Sequence, residues 1–241
     1  RTTSYGGETA LGGAIYNDGL WDYDEYNNIK YVSYIGNITG RFLNNHVSAK
    51  DRDIYIGSAF GGAIFNRGRI DSITNSHFQN NYAEAERGDA FGGAIYNNTR
   101  NGLSPNIIEV SGIGKIQNTS FIENYAKSQS GKAQGGAIWS NRDLNIVADN
   151  GESLFSGNYV QNGDKKDQQA IFVTNSTTTE YGYYNSEKPY RCYYQNEPHK
   201  TTVTLNSINN GKIIFNDKIT GETTKTPINK YYEKWNPHYV D

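Results

Sequence analysis

The chain is 241 residues long, and its 23 basic and 25 acidic residues leave a formal net charge of −2. This balance gives no basic footprint for nucleic acid, and no run of 18 apolar residues is present to span a membrane. Hydrophobic residues make up only 35%, which suits a repeat protein whose units each bury a thin core against their neighbours. The single cysteine, Cys192, excludes an intrachain disulfide.

Two short motifs alternate along the first two thirds of the chain. The first is Gly-Gly-Ala-Ile followed by an aromatic residue, and its four copies begin at Gly12, Gly61, Gly92 and Gly135. The second is Phe-x-x-Asn followed by His or Tyr, and its four copies begin at Phe42, Phe78, Phe121 and Phe155. Repeats at variable spacing, with no helical pattern between them, predict a β-solenoid whose turns accept insertions.

The predicted fold is an all-β, single-stranded parallel β-helix of about ten coils. Equivalent residues of successive coils would stack about 4.8 Å apart. An inward aliphatic stack is expected from Ile15, Ile64, Ile95 and Ile138, and an aromatic one from Phe42, Phe78, Phe121 and Phe155. Glycine pairs would form the corners, where a side chain would clash or a positive φ is needed: Gly12, Gly13, Gly61, Gly62, Gly92, Gly93, Gly135 and Gly136.

The asparagines of both motifs are predicted to form ladders, because stacked amides can hydrogen-bond to the coils above and below. One ladder would contain Asn17, Asn66 and Asn97, and the other Asn45, Asn81, Asn124 and Asn158. The aromatic residues that follow each motif isoleucine should face outward, because side chains alternate along a strand. These are Tyr16, Phe65, Tyr96 and Trp139.

We interpret the chain as one β-helix domain whose character changes along its length. Its parts are a lead-in (1–11), the repeats (12–174), a loop insertion (175–200), late coils (201–230) and a tail or cap (231–241). The repeats end in a degenerate fifth copy at 169–173, which lacks the glycine pair. Further strands are expected at 201–208 and 212–216. The tail would cover the last coil, because an open solenoid end is an unpaired strand edge.

The alternation of Gly-Gly-Ala-Ile with Phe-x-x-Asn resembles the passenger domains of bacterial autotransporters, in particular the chlamydial polymorphic outer-membrane proteins and related adhesins. Each tetrapeptide is weak alone, whereas four alternating pairs are a specific signal. The likeness covers residues 10–175 and 201–230. It implies a right-handed parallel β-helix, export to the bacterial cell surface or secretion, and adhesion or host contact. Such a resemblance supports the fold more strongly than the function.

The sequence gives little support for catalysis, and we predict no catalytic residue, cofactor or metal site. The four histidines show no metal-binding spacing, and Cys192 has no identifiable histidine partner. Parallel β-helices do include polysaccharide lyases and hydrolases, which need clustered carboxylates with a basic partner. The candidates for such a cluster are the acidic turns Asp18, Asp22, Asp24 and Glu25, and Asp51, Arg52 and Asp53.

The tyrosines of the 175–200 segment are the predicted binding residues: Tyr181, Tyr183, Tyr184, Tyr190, Tyr193 and Tyr194. Tyrosine offers a large rigid contact area with a polar tip, although these rings would alternatively pack the segment onto the solenoid. We expect an adhesin-like module that binds a host or bacterial surface protein or glycan. The alternatives are a β-helical polysaccharide-active enzyme and a structural scaffold that associates with itself.

Overall fold

A computed structural model describes residues 2–5, 8–19, 33–51, 54–98, 111–175, 179–182, 190–195, 200–222 and 230–234. Within these ranges the chain forms strands and turns and no helix. The predicted all-β fold with parallel sheets is therefore confirmed.

The strands are numbered in chain order. The first ten are β1 (Thr2–Tyr5), β2 (Ala10–Leu11), β3 (Ile15–Asn17), β4 (Tyr34–Ile38), β5 (Arg41–Leu43), β6 (His46–Lys50), β7 (Ala59–Phe60), β8 (Ile64–Asn66), β9 (Arg69–Thr74) and β10 (His77–Gln79). The next ten are β11 (Tyr82–Ala85), β12 (Ala90–Phe91), β13 (Ile95–Asn97), β14 (Gly112–Gln117), β15 (Ser120–Ile122), β16 (Tyr125–Ser128), β17 (Ala133–Gln134), β18 (Ile138–Ser140), β19 (Leu144–Asp149) and β20 (Glu152–Ser156). The last nine are β21 (Tyr159–Asn162), β22 (Lys165–Gln168), β23 (Ile171–Thr174), β24 (Thr179–Gly182), β25 (Tyr190–Gln195), β26 (Val203–Ile208), β27 (Lys212–Phe215), β28 (Ile219–Glu222) and β29 (Lys230–Lys234).

Successive coils place equivalent strands side by side in five ladders. In the order in which a coil visits them, these are sheet I (β4-β9-β14-β19-β26), sheet II (β5-β10-β15-β20-β27), sheet III (β1-β6-β11-β16-β21-β22), sheet IV (β2-β7-β12-β17) and sheet V (β3-β8-β13-β18-β23-β28). All pairs within them are parallel except β21 with β22, a hairpin that ends sheet III. The result is a β-solenoid with five strands in each complete coil.

The coils are longer than they would be if the 241 residues formed ten coils. Asn17 bonds to Asn66, 49 residues away, Asn66 to Asn97, 31 residues away, and Asn97 to Ser140, 43 residues away. One coil therefore contains one copy of each motif. The prediction of about ten coils is wrong for the described chain, because its longest parallel ladder, sheet V, has six strands. Each glycine corner joins two short strands of the same coil.

The main core contains the predicted isoleucine and phenylalanine stacks. Ile15, Ile64, Ile95 and Ile138 are in register in sheet V, and the degenerate copy continues the ladder with Ile171. The phenylalanines of sheet II stack with ring centroids 4.3–4.9 Å apart: Phe42, Phe78, Phe121, Phe155 and Phe215. Between sheets III and IV the core is thinner, because the inward residues there are alanines and valines.

Both predicted constraints apply to the glycine pair: one glycine has a positive φ, and the other has no room for a side chain. Gly92 has φ +66°, in the left-handed region that side chains disfavour. A Cβ on Gly93 would lie 2.1 Å from the Gly136 oxygen and 2.4 Å from the Tyr125 oxygen, so backbone of two other segments occupies that space. The first glycine therefore turns the chain and the second allows successive corners to stack.

The residues after the motif isoleucines point away from the main core, but three of the four are not exposed as predicted. Phe65, Tyr96 and Trp139 are 0%, 6% and 7% exposed, whereas Tyr16 is 53% exposed. The corner folds sheet IV toward sheet V on the outer side of the coil, so that their outward rings meet. Phe91, for example, stacks on Trp139 with ring centroids 5.5 Å apart. These rings form a second, outer aromatic cluster.

The Tyr-rich 175–200 segment is not the plain loop that we predicted. Its strands β24 and β25 pair antiparallel, and β25 also pairs with β29. Tyrosine has a high β-propensity, so a segment without apolar alternation can still form strands. The tail thus contributes β29 to this three-stranded sheet, and residues 235–241 lie outside the described chain. The strands predicted at 201–208 and 212–216 are present as β26 and β27.

A buried asparagine ladder joins the coils beside the phenylalanine stack. Asn124 Oδ1 accepts hydrogen bonds from the Asn81 backbone N–H and Nδ2, at 3.0 and 2.9 Å. Its own Nδ2 donates to the Phe78 oxygen and to Asn158 Oδ1, both at 3.0 Å. The ladder runs from Asn45 to Asn158 and ends on the carboxylate of Asp217. Each amide thereby satisfies buried groups of neighbouring coils.

Substitution of Gly93 by Ala should destabilise the fold by about 3 kcal/mol or more, because the new Cβ has only backbone to displace. Gly36→Ala is the matched control, since its Cβ would meet nothing closer than the Tyr34 hydroxyl at 3.9 Å. Urea unfolding followed by circular dichroism gives both values. Equal stabilities for the two variants would contradict the stacked-corner geometry.

Substitution of Asn124 by Ala should cost about 3 kcal/mol, because it leaves two donors of Asn81 and the Phe78 carbonyl without this partner. Asn45→Ala should cost about 1 kcal/mol, since Asn45 is only partly buried and lies at the start of the ladder. The comparison uses the same unfolding measurement. If both variants lost the same free energy of unfolding, the contribution of each asparagine would not depend on how deeply it is buried.

Candidate functional site

The structure places four of the six predicted binding tyrosines on strands. Tyr181 lies in β24, and Tyr190, Tyr193 and Tyr194 lie in β25, whereas Tyr183 and Tyr184 fall outside the described residues. The register pairs Tyr181 with Tyr193, and Tyr193 with Tyr231 of β29. The backbone therefore brings three tyrosines into one row across this sheet.

Of the two acidic turns that an enzyme could use, only Asp18 and Asp51 lie among the described residues. Asp18 accepts a hydrogen bond from the Tyr16 hydroxyl at 2.8 Å and lies 3.7 Å from Arg67. Asp22, Asp24, Glu25, Arg52 and Asp53 lie outside the described residues. In the part of the chain that the structure describes, no group of three or more His, Cys, Asp or Glu residues is placed to hold a metal ion.

The outer face of sheet III carries a stack of four aromatic rings. His46, Tyr82, Tyr125 and Tyr159 follow the Phe-x-x-Asn motif in successive coils, and their ring centroids lie 4.6, 4.8 and 5.0 Å apart. Lys166 of β22 covers the last ring, with Nζ 3.5 Å from the Tyr159 centroid. Burial raises the pKa of Tyr125 and, to a lesser degree, that of Tyr159, so both phenols remain protonated at neutral pH.

A row of polar side chains runs beside the rings, two residues further along each strand. Ser48, Glu84, Lys127 and Gln161 are in register across β6, β11, β16 and β21. Lys127 Nζ lies 2.8 Å from Glu84 Oε1, and both side chains remain more than one third exposed. The hydrogen bond to Glu84 raises the pKa of Lys127 above its ordinary value. Lys127 is therefore charged at neutral pH, and the pair is still open to solvent.

This polar row forms the floor of a trough with a cavity volume of about 540 Å³. Its far wall is made by Lys50, the last residue of β6, and by residues that follow β11, β16 and β21: Glu86, Gln129, Gly163 and Asp164. The volume falls within the range of sites for small ligands. Sequence reasoning noted the His or Tyr after each Phe-x-x-Asn but missed the floor and wall, whose residue types differ from coil to coil. Their position two and four residues after the rings was the available signal.

Comparison of the chain with protein-family models, with curated proteins and with solved structures found no match. No helix in the described ranges is long and apolar enough to cross a membrane.

A loop that leaves the β6 end of the trough exposes three consecutive large apolar residues. Ile54, Tyr55 and Ile56 are 82%, 62% and 55% exposed. The base of this loop is held by Asp51, whose side chain is 7% exposed. Its carboxylate accepts hydrogen bonds from Arg87 and from the Gly57 N–H, the latter at 3.0 Å, and its own N–H donates to Glu86 at 3.0 Å. The next coil thus fixes the loop.

A smaller cavity of about 280 Å³ opens at the start of sheet I, between Gly112 and Thr202. Arg69 and Arg142 both line it, but Arg69 Nε is bound to Asp71 Oδ1 at 2.7 Å. Arg142 is 8% exposed, and its burial lowers the pKa of the guanidinium. The trough of sheet III is larger and carries more exposed hydrogen-bonding groups, which makes it the better candidate.

The Asp51 carboxylate, with its hydrogen bonds from Arg87 and Gly57, holds the base of the loop as a clamp, and this clamp should open in acid. Burial opposes ionisation of Asp51, but the hydrogen bonds from Arg87 and Gly57 outweigh it and hold its pKa below the ordinary value of about 3.9. The clamp is therefore complete above the ordinary pKa of aspartate, and it is lost as the pH falls through the lower pKa of Asp51 in the folded protein. The Gly57 amide chemical shift, followed by NMR, should titrate with a midpoint below about 3.9.

Asp51→Asn is the control, since its uncharged amide should abolish this titration of the Gly57 amide. A midpoint at or above that of an unperturbed aspartate would mean that Arg87 does not stabilise the carboxylate.

Proposed function

We propose that this chain is a right-handed parallel β-helical passenger, displayed on a bacterial cell surface or secreted, that acts as an adhesin-like binding module. Its partner would be a protein or glycan of a host or neighbouring cell. Two lines support this proposal: the alternating Gly-Gly-Ala-Ile and Phe-x-x-Asn motifs with their resemblance to autotransporter passengers, and the solenoid that these motifs build.

The observation that carries the binding function is the trough of sheet III. It is concave, it spans four adjacent strands, and seven of its eleven lining residues carry charged or amide side chains. The strands beneath it are fixed by backbone ladders, so the side chains are held at set spacings before a ligand arrives. Such preorganisation reduces the entropy that binding has to overcome.

A polysaccharide-active enzyme is the second candidate, because the trough also groups carboxylates with basic partners. Glu84, Glu86 and Asp164 line it together with Lys50 and Lys127. Two of these carboxylates are already engaged, however: Glu84 bonds to Lys127, and Glu86 accepts the Asp51 N–H. Carboxylates committed to such bonds favour ligand binding over proton transfer to a substrate.

Self-association is a third candidate, favoured by the last described coil. Leu205 and Ile219 continue the buried stacks of Ile146 and Ile171, yet they are 47% and 40% exposed. In the described part of the chain, the outer edges of β26, β27 and β28 have no further strand in their ladders. An apolar end of this kind can pair with another chain.

The proposal is tested by binding of the purified chain to host and bacterial cells, with three variants compared. Glu84→Ala with Lys127→Ala removes the centre of the trough and should weaken binding at least about tenfold, or ~1.4 kcal/mol. Glu152→Ala with Lys212→Ala is the matched control, because this register pair of opposite charges lies exposed on sheet II. Deletion of residues 177–198 tests the tyrosine segment.

Undiminished binding by the trough variant, combined with loss on deletion of residues 177–198, would move the site to the tyrosine strands. Release of reducing ends or unsaturated products from a polysaccharide would favour the enzyme. Sedimentation as concentration-dependent polymers, reduced by Leu205→Lys, would favour the scaffold.

A further inference from the structure

We infer that the trough of sheet III binds a linear, uncharged oligosaccharide that lies across strands β6, β11, β16 and β21. This inference rests on the proposed function, since it names the ligand class of the same binding face. It follows from the hydrogen-bonding side chains of the trough, from its charge and from the absence of a free strand edge along its two central strands.

The two central strands beneath the trough have no unpaired edge. Strands β11 and β16 are paired on both sides, β11 with β6 and β16, and β16 with β11 and β21. An extended peptide adds to a sheet through a free strand edge, and the trough presents none along these two strands. Along these two strands the ligand must therefore be recognised by side chains.

The side chains of the trough mix hydrogen-bond donors and acceptors at short intervals. The floor presents the Ser48 hydroxyl, the Glu84 carboxylate, the Lys127 ammonium and the Gln161 amide on successive strands. Neighbouring strands are about 4.8 Å apart, close to the length of one pyranose ring. A sugar hydroxyl both donates and accepts, so each ring of a linear chain can match the group beneath it whatever its polarity.

The Glu84–Lys127 pair keeps bonding capacity for such hydroxyls. Their side chains are 37% and 39% exposed, and one bond of 2.8 Å uses only one of the three ammonium protons. The mutual bond also holds the two side chains in place, so a sugar finds them already oriented. The wall adds the Gln129 amide and the Asp164 carboxylate.

The charge of the trough selects an uncharged chain. Glu84, Glu86 and Asp164 supply three negative charges, and Lys50 and Lys127 supply two positive ones. Since Lys127 is bound to Glu84, a polyanion would meet an excess of carboxylate along the wall. The ring stack adds little apolar platform, because its rings cover one another's facing sides and Lys166 covers the outer side of Tyr159.

The length of the ligand follows from the number of strands. The lining residues run from Lys50 of β6 to Gln161 of β21, which is three strand intervals, or about 14 Å. That distance accommodates about three sugar rings. Affinity should therefore rise with chain length up to about this size and then stay level.

The inference is tested by calorimetric titration of the intact chain with neutral cello-, xylo- and malto-oligosaccharides, from the monosaccharide to the hexasaccharide, and with oligogalacturonates of the same lengths. We expect one neutral series to bind, with affinity levelling off near the trisaccharide and little affected by salt. Oligogalacturonates should bind at least about tenfold more weakly.

Variants place this binding in the trough. Glu84→Gln with Gln161→Ala should lower the affinity at least about tenfold, while Glu152→Gln on sheet II leaves it unchanged. Matching circular dichroism and melting curves exclude loss of fold. Tighter binding of the oligogalacturonates, or equal binding by the trough variant and the control, would overturn the inference.

The two proposals fail in different ways. If no oligosaccharide binds but the Glu84 and Lys127 variant loses cell binding, the trough remains the binding site and its ligand is not a neutral glycan. If that variant also retains cell binding, the proposed site itself is wrong.

Discussion

Hydrogen bonding between successive coils in a fixed register is the constraint on which the rest of this structure depends. It sets the strand spacing, and every other repeated feature is a way of meeting it. Gly93 has no side chain because the next corner approaches to within contact of its Cα. Asn124 joins three coils because a buried turn at that spacing leaves backbone groups that only an amide can satisfy from both sides. Isoleucine and phenylalanine fill the interior because identical side chains stack without strain at this interval.

The same register organises the outside of the protein, where it acts on residues that are not alike. Ser48, Glu84, Lys127 and Gln161 share one row only because the alanines and valines beside them share the row that faces inward. The core thus positions the trough without contributing any group to it. This separation allows the outer residues to differ between coils while the scaffold stays constant, and it explains how a regular solenoid can present an irregular, ligand-specific face.

Much of the fold could be predicted from sequence, because positions facing the core repeat in residue type. Ile95, Phe121 and Asn124 were assigned by self-similarity alone. The number of coils could not be predicted in this way, because two motifs alternate within one coil. No local pattern in the sequence indicates that each coil has five sides. The burial of Trp139 was missed because it depends on the angle at the corner, which brings Phe91 against it. The trough was missed for a related reason: outward positions such as Glu84 and Lys127 do not repeat, so a search for repeats passes over them. The paired strands around Tyr193 were missed because apolar alternation, the usual mark of a strand, is absent there.

The hairpin of β21 and β22 has a consequence for how such a protein can change over evolutionary time. Because β22 runs antiparallel and occupies the edge of β21, no later coil can add a strand to sheet III, although sheets I, II and V continue for another coil. Duplication of a coil after the hairpin would lengthen the molecule and leave the trough as it is. Duplication of a coil before the hairpin would lengthen both the molecule and the trough by one strand interval. The position of a single reversed strand therefore decides whether a repeat expansion alters reach or ligand size.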